Sequence, residues 1–206
     1  MNRIIKLATV VATGAALAVP AVAPAKTVTF GTRLDHEPSN SLPAHNCRED
    51  GSDDPTPVCS RIAIDQGDAP AGRLTAPANG TIVKFRVRAG GPGVIRFRLA
   101  RMSKLGFDPL LEDYSGLGRS AGYGPTVMVQ GNGFAETGDP VETFPAHVKV
   151  RKGDYVGFDS KSTSALYCSG GGNAQAIFFT PLGKTNKRLD KTDGCELLVQ
   201  AVMKVS

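Results

Sequence analysis

From Thr27 onward, apolar and polar residues alternate with a period of two far more often than with a period of 3.6, in short runs bounded by Gly, Pro, Asn and Asp. The pattern predicts strands at 27–32, 61–66, 81–88, 94–101, 126–130, 142–144, 148–150, 155–159, 165–168, 174–180 and 196–205. No window offers a capped amphipathic helix of three turns. Many short strands with frequent turn signals predict an all-β fold: an antiparallel β-sandwich, jelly-roll-like, with long disulfide-stapled loops and one core between two inner faces.

The turns follow from composition. With 24 Gly and 14 Pro in 206 residues, the chain is rich in turns yet short of the Gly/Pro excess of a disordered one. Asn79-Gly80 fits the positive φ of a tight turn ahead of the strand at Thr81, and Arg151-Lys152-Gly153-Asp154 does the same ahead of Tyr155. Asn79-Gly80-Thr81 is also a glycosylation sequon, although its turn role explains it without a sugar. Residues 33–60, 103–125 and 131–140 read as long loops, the usual place for binding on a rigid sheet.

The first 25 residues stand apart. Arg3 and Lys6 precede an apolar run over 7–19, Pro20 breaks it, and Ala21-Val22-Ala23 or Ala23-Pro24-Ala25 supplies a small-x-small cleavage pattern. Residues 1–25 are therefore expected to be a secretory signal and 26–206 a single domain. The run is short for a bilayer span, and no later stretch is long enough for one, so no transmembrane segment is expected in the mature chain. The first cysteine, Cys47, lies too far downstream for a lipid anchor. The expected location is secreted or extracellular, with cell-envelope association as an option.

Export fits the four cysteines, Cys47, Cys59, Cys168 and Cys195, as disulfide formers. Three pairings are open; order along the chain favours Cys47 with Cys59 and Cys168 with Cys195. No C-x-x-C or H-x-x-x-H spacing accompanies them, which argues against zinc.

Candidate chemistry is thin. Gly118-Arg119-Ser120-Ala121-Gly122 matches G-x-S-x-G, but the buried strand before it and the helix after it that expose a nucleophile are not predicted. Gly116-Leu117-Gly118 with Gly122 is one residue too long for a dinucleotide fingerprint and lies in no βαβ unit. His45 near Cys47 and Ser169 after Cys168 evoke a trypsin-like pair, yet Asn46 and Cys168 stand where that pattern needs other residues. The acidic loop Asp50-Gly51-Ser52-Asp53-Asp54 begins like an EF-hand but has Pro55 at its sixth position and Arg61 at its twelfth. Asp50, Asp53 and Asp54 are thus weak calcium candidates, a solvated turn is the default, and no metal or cofactor is expected. His36 and His147 have no evident partners along the chain.

Three runs, 74–88 (LTAPANGTIVKFRVR), 114–120 (YSGLGRS) and 148–159 (VKVRKGDYVGFD), resemble a group of uncharacterised secreted β-sandwich proteins of actinobacteria. The resemblance includes the early cysteine pair. It implies the fold and export and carries no catalytic residue, since the group has no assigned activity. The second cysteine pair and the basic loop near Lys187 depart from it.

Charge is the most localised signal. Of a formal +5, Arg3 and Lys6 belong to the signal; residues 26–79 carry −3, 80–104 carry +7 and 105–206 carry −1. Segment 80–104 reads as a β-hairpin around Gly90-Gly91-Pro92-Gly93. Period two then sets Val83, Phe85 and Val87 beside Ile95, Phe97 and Leu99 on the core face, and Lys84, Arg86, Arg88, Arg96 and Arg98 on the other. Arg101 has core parity and is expected beyond the strand end.

Five like charges on facing strands need a reason. Either carboxylates such as Glu142 or Glu196 neutralise them, or they dock a polyanion such as a cell-wall polymer or acidic polysaccharide. Specific nucleic-acid binding is not expected. With no Trp, carbohydrate binding would rest on Tyr114 and Tyr123 in the Gly-rich loop. The expected function is a non-catalytic binding or envelope-associated module. A structural, self-associating surface protein and a carbohydrate-binding module are the alternatives, and oligomeric state is open.

Overall fold

The computed structural model describes residues 26–38, 58–66, 73–108, 113–133, 138–160, 166–167 and 174–206. The expected signal, the acidic loop with Asp50, Asp53 and Asp54, and Cys47, His45, Cys168 and Ser169 lie outside them. Among the described residues thirteen strands follow in chain order: β1 (Thr27–Gly31), β2 (Cys59–Gln66), β3 (Gly80–Arg88), β4 (Gly93–Asp108), β5 (Asp113–Val129), β6 (Val141–Val150), β7 (Tyr155–Ser160), β8 (Leu166–Tyr167), β9 (Ala174–Phe179), β10 (Lys187–Arg188), β11 (Lys191–Asp193), β12 (Glu196–Leu197) and β13 (Val199–Val205). Every pairing is antiparallel. One sheet runs β1-β13-β3-β6, a second runs β10-β5-β4-β7-β2-β9-β11, and β12 pairs with β8. No helix among the described residues is long and apolar enough to cross a membrane.

The two large sheets share one core. Phe85 and Val87 of β3 and Ala201 and Met203 of β13 meet Ile95, Phe97 and Leu99 of β4 and Phe158 of β7, all essentially without solvent exposure. At its centre the Phe85 and Phe97 rings stack, centroids 4.3 Å apart and planes 6° from parallel.

This stack corrects the expected hairpin. β3 and β4 do not pair; the turn at Gly90-Gly93 carries the chain from one sheet to the other. The apolar alternation was real, but its two halves meet face to face across the core instead of side by side. Their polar faces therefore point away from each other, and Lys84, Arg86 and Arg88 lie on the opposite side of the molecule from Arg96 and Arg98. Val83 is a smaller correction. A register shift between Ile82 and Lys84 skips it in both of β3's pairings, and Ile82 takes the buried place expected for Val83.

Within 103–125, expected as a loop, residues 103–108 and 113–125 belong instead to the β4–β5 hairpin. Glycine there signals close approach, not a break. A Cβ at Gly118 would lie 2.6 Å from the Phe179 ring, and one at Gly124 would lie 2.5 Å from the Phe85 ring and 2.9 Å from Phe97 Cβ. Pro145, expected to separate two strands, sits within β6, the edge of its sheet, where a missing N–H is tolerated. Gly153 adopts the expected positive φ (86°), whereas Gly80 does not; it is needed because a Cβ would strike Lys204 O at 2.2 Å.

A second apolar layer lies outside the seven-stranded sheet. Ile62, Ile64, Ala100, Ile177 and Phe179 are covered by Leu182, with Leu189 beside them. Residues 180–189 thus form a strap across that outer face.

Gly124→Ala should destabilise the protein by ~1–3 kcal/mol through overpacking of the ring stack. Gly106→Ala, whose Cβ would meet nothing within 4 Å, should be close to neutral. Urea denaturation compares them, and equal midpoints would contradict this packing.

Candidate functional site

The outer face of the seven-stranded sheet begins at a buried ion pair. Arg98 alternates with Phe97 and Leu99 and so points away from the core, but the strap closes over it, leaving its side chain 2% exposed. Asp159, which lies opposite Arg96 in the β4–β7 pairing and two residues along from Arg98's own partner Gly157, receives the Arg98 Nε and Nη2 protons in a fork. Ser60 Oγ donates to Asp159 Oδ1 at 2.7 Å and accepts from Leu182 N at 2.8 Å. Arg98 Nη1 donates to Leu182 O at 2.6 Å. The pair is the mooring of the strap and not an open docking charge.

The remaining expected cations divide similarly. Arg88 is consumed by carbonyls of Asp139, Leu34 and His36 and by the Glu37 carboxylate. Arg86 donates to Gln200 Oε1 at 2.9 Å. Lys84 is exposed. Arg96 lies over the Tyr123 ring, its Cζ 3.8 Å from the centroid, with Arg98 Cζ 4.5 Å from the same centroid. Burial opposes ionisation of the Tyr123 phenol, but the Ser120 hydroxyl and the Arg98 charge outweigh it and lower its pKa. Glu142 and Glu196 do not neutralise the cations: Glu142 caps the amides of Gln130 and Gly131, and Glu196 meets His36.

Tyr114 and Tyr123 make no common platform. Both lie in β5, nine residues apart and thus roughly 30 Å by strand rise. Tyr114 packs against Phe107 at 5.2 Å between centroids. Ser120 stands in mid-strand opposite Ala100, not on a strand-to-helix elbow. Cys59 and Cys195 are buried and neither is a free thiol.

An open cleft of about 430 Å³ remains, lined by Arg101, Met102, Ser103, Arg119, Lys184, Thr185 and Asn186. β4 runs on through Asp108, so Arg101 lies inside the strand instead of beyond its end, directly opposite Arg119 of β5. Arg101 is held by the buried Asp154, Nε to Oδ1 at 2.8 Å and Nη2 to Oδ2 at 2.9 Å. Arg119 and Lys184 are exposed, and among the described residues neither meets a carboxylate. The cleft therefore keeps two uncompensated cations beside a third that is fixed in direction. Thr185, Asn186 and Ser103 add neutral hydrogen-bonding groups.

The strap supplies the cleft's far wall. Ser120 N donates to Gly183 O at 2.6 Å, and β10 pairs Lys187 with Gly118. Asp190 closes the strap on itself: its Oδ2 accepts from Thr180 N at 2.5 Å, Thr180 Oγ1 at 2.6 Å and Lys187 Nζ at 2.8 Å. Partial burial raises the Asp190 pKa, but the Lys187 and Thr180 hydrogen bonds and the Lys187 charge prevail and hold it below the ordinary 3.8. Lys184 escaped sequence reading because nothing along the chain places it near Arg101 or Arg119; only the strap's fold-back does.

No family model matches the chain, and comparison with curated proteins and with solved structures finds no significant match.

Asp159→Ala leaves Arg98 buried without its countercharge and should cost ~3–5 kcal/mol in chemical denaturation. A loss below ~1 kcal/mol would show that Arg98 is not truly desolvated. Because the folded pKa of Asp190 is depressed, its contribution to stability is complete above the unfolded value and fades as pH falls through the lower folded value. Wild type should thus lose more stability than Asp190→Asn on acidification below pH ~4, as followed by thermal melts; parallel curves would contradict the assignment.

Proposed function

We propose that this chain is an exported β-sandwich of jelly-roll type that binds an anionic polymer without catalysis, and that the polymer engages the cleft between β4, β5 and the strap. The observation that carries this reading is the unneutralised pair Arg119 and Lys184 beside Arg101, with Arg101 and Arg119 facing each other in register. Like charges directly opposite in a sheet are destabilising, and a bound anion removes that penalty. The cleft volume falls within the range of small-ligand sites, which suits one or two charged units of a longer chain.

A carboxylated or phosphorylated polysaccharide of a cell envelope has that chemistry. Export is supported by Arg3, Lys6 and the apolar run that follows. Disulfides pairing Cys47 with Cys59 and Cys168 with Cys195 suit the same environment. The sandwich assignment rests on two antiparallel sheets sharing a core.

A second reading has one observation in its favour. Val94 and Met128 are each 53% exposed and lie opposite one another at the end of the β4–β5 hairpin. An apolar pair in that position suits contact between two copies. Concentration-dependent dimers in high-salt sizing chromatography, abolished by Met128→Asp, would favour it.

For the cleft, retention on an immobilised acidic polysaccharide should fall steeply with salt. Arg119→Glu with Lys184→Glu should weaken it about tenfold or more, each charge contributing to the salt slope. Lys84→Glu with Arg86→Glu, on the other sheet, should leave it nearly unchanged. Salt-independent retention, or equal losses in both double variants, would overturn the assignment.

A further inference from the structure

A separate cluster lies away from the cleft, where the chain leaving β1 passes the start of β12. Glu196 is 3% exposed although charged, and its partner among the described residues is the ring of His36, Nδ1 to Oε2 at 2.6 Å. Asp35 Oδ1 stands 3.9 Å from the same nitrogen. One donor atom from each of Asp35, His36 and Glu196 lies within 4.8 Å of the others. Arg33 Nη1 approaches the other Asp35 oxygen, Oδ2, at 4.0 Å.

The segment that presents the first two residues is tied down independently of them. Thr32 Oγ1 and the Val199 backbone exchange two hydrogen bonds at 3.0 Å, and Gln200 Nε2 donates to Thr32 O at 3.0 Å. Leu34 is buried, and Arg88 Nη1 donates to the carbonyls of both Leu34 and His36 at 3.3 Å. Asp35 and His36 are thereby held over a carboxylate carried by a strand 160 residues later.

We propose that Asp35, His36 and Glu196 form a binding site for a divalent cation of the zinc class. Tetrahedral Zn²⁺ with bonds of about 2.1 Å needs donors about 3.4 Å apart, a spacing that the His36–Glu196 and His36–Asp35 distances bracket. An imidazole with two carboxylates suits a borderline ion, leaves one position for water, and gives a neutral assembly around the buried Glu196. On binding, the proton shared between Nδ1 and Glu196 leaves to solvent and the nitrogen lone pair turns to the metal.

The test is calorimetric titration of the full chain, stripped with chelator, with Zn²⁺ alone. One saturable Zn²⁺ per chain is expected, weakened about tenfold or more by His36→Ala. His147→Ala, at an exposed histidine elsewhere, should bind as wild type. Co²⁺ should give the visible bands of a four-coordinate site in wild type and not in His36→Ala, while metal-free far-UV spectra show both proteins folded. Ca²⁺ should not compete, since it requires six or more oxygen ligands. Absence of saturable Zn²⁺ uptake, equal uptake by His36→Ala, loss in His147→Ala, or effective competition by Ca²⁺ would each overturn the site.

Discussion

The stack of Phe85 on Phe97 is the contact from which the rest of the charge layout follows. It requires β3 and β4 to approach from opposite sides of the core, so the chain must cross between sheets at Gly90-Gly93 instead of turning back on itself. Once that crossing is made, two basic strand faces that look contiguous along the chain diverge in space. Gly124 is part of the same requirement, because its bare backbone leaves room for the Phe85 ring and the Phe97 Cβ. Aromatic burial, not charge, thereby decides where each arginine faces.

Outside the seven-stranded sheet a polar mooring does what apolar packing does within. Arg98 and Asp159 attract each other strongly only because the strap excludes water from them, and the strap stays in place partly because Arg98 and Ser60 hold the backbone of Leu182. The arrangement is mutual, and it sets the height of the strap over β5. That height shapes the cleft at Arg101, Arg119 and Lys184, so a buried ion pair outside the cleft's lining helps to position the cations within it.

Much of the fold was legible because strands half-buried on one face impose a period of two. β1, β2, β3, β7 and β9 begin and end within two residues of the sequence expectation. The failures share a cause: residues judged locally as breakers were chosen for what approaches them from elsewhere. Gly118 and Gly124 admit aromatic rings, and Pro145 lies on an edge. Arg98 had the right parity and the wrong environment, since parity assigns a face but not what covers it. For the sites, Arg101 and Arg119 were visible as residues but not as cross-strand partners. The meeting of His36 with Glu196 spans too much chain for any spacing rule to find.

The edge strand β6 has a consequence of a different kind. An outer strand offers a row of backbone groups to any passing chain of extended conformation, which is how soluble β proteins are recruited into fibrils. Here Pro145 removes a donor from that strand, and the neighbouring register shift at Val83 disturbs the flat ribbon that a newcomer would need to copy. The outer border of the four-stranded sheet is consequently a poor template for growth at β6, and any assembly of this protein that begins there must rely on side chains and not on continuation of the sheet.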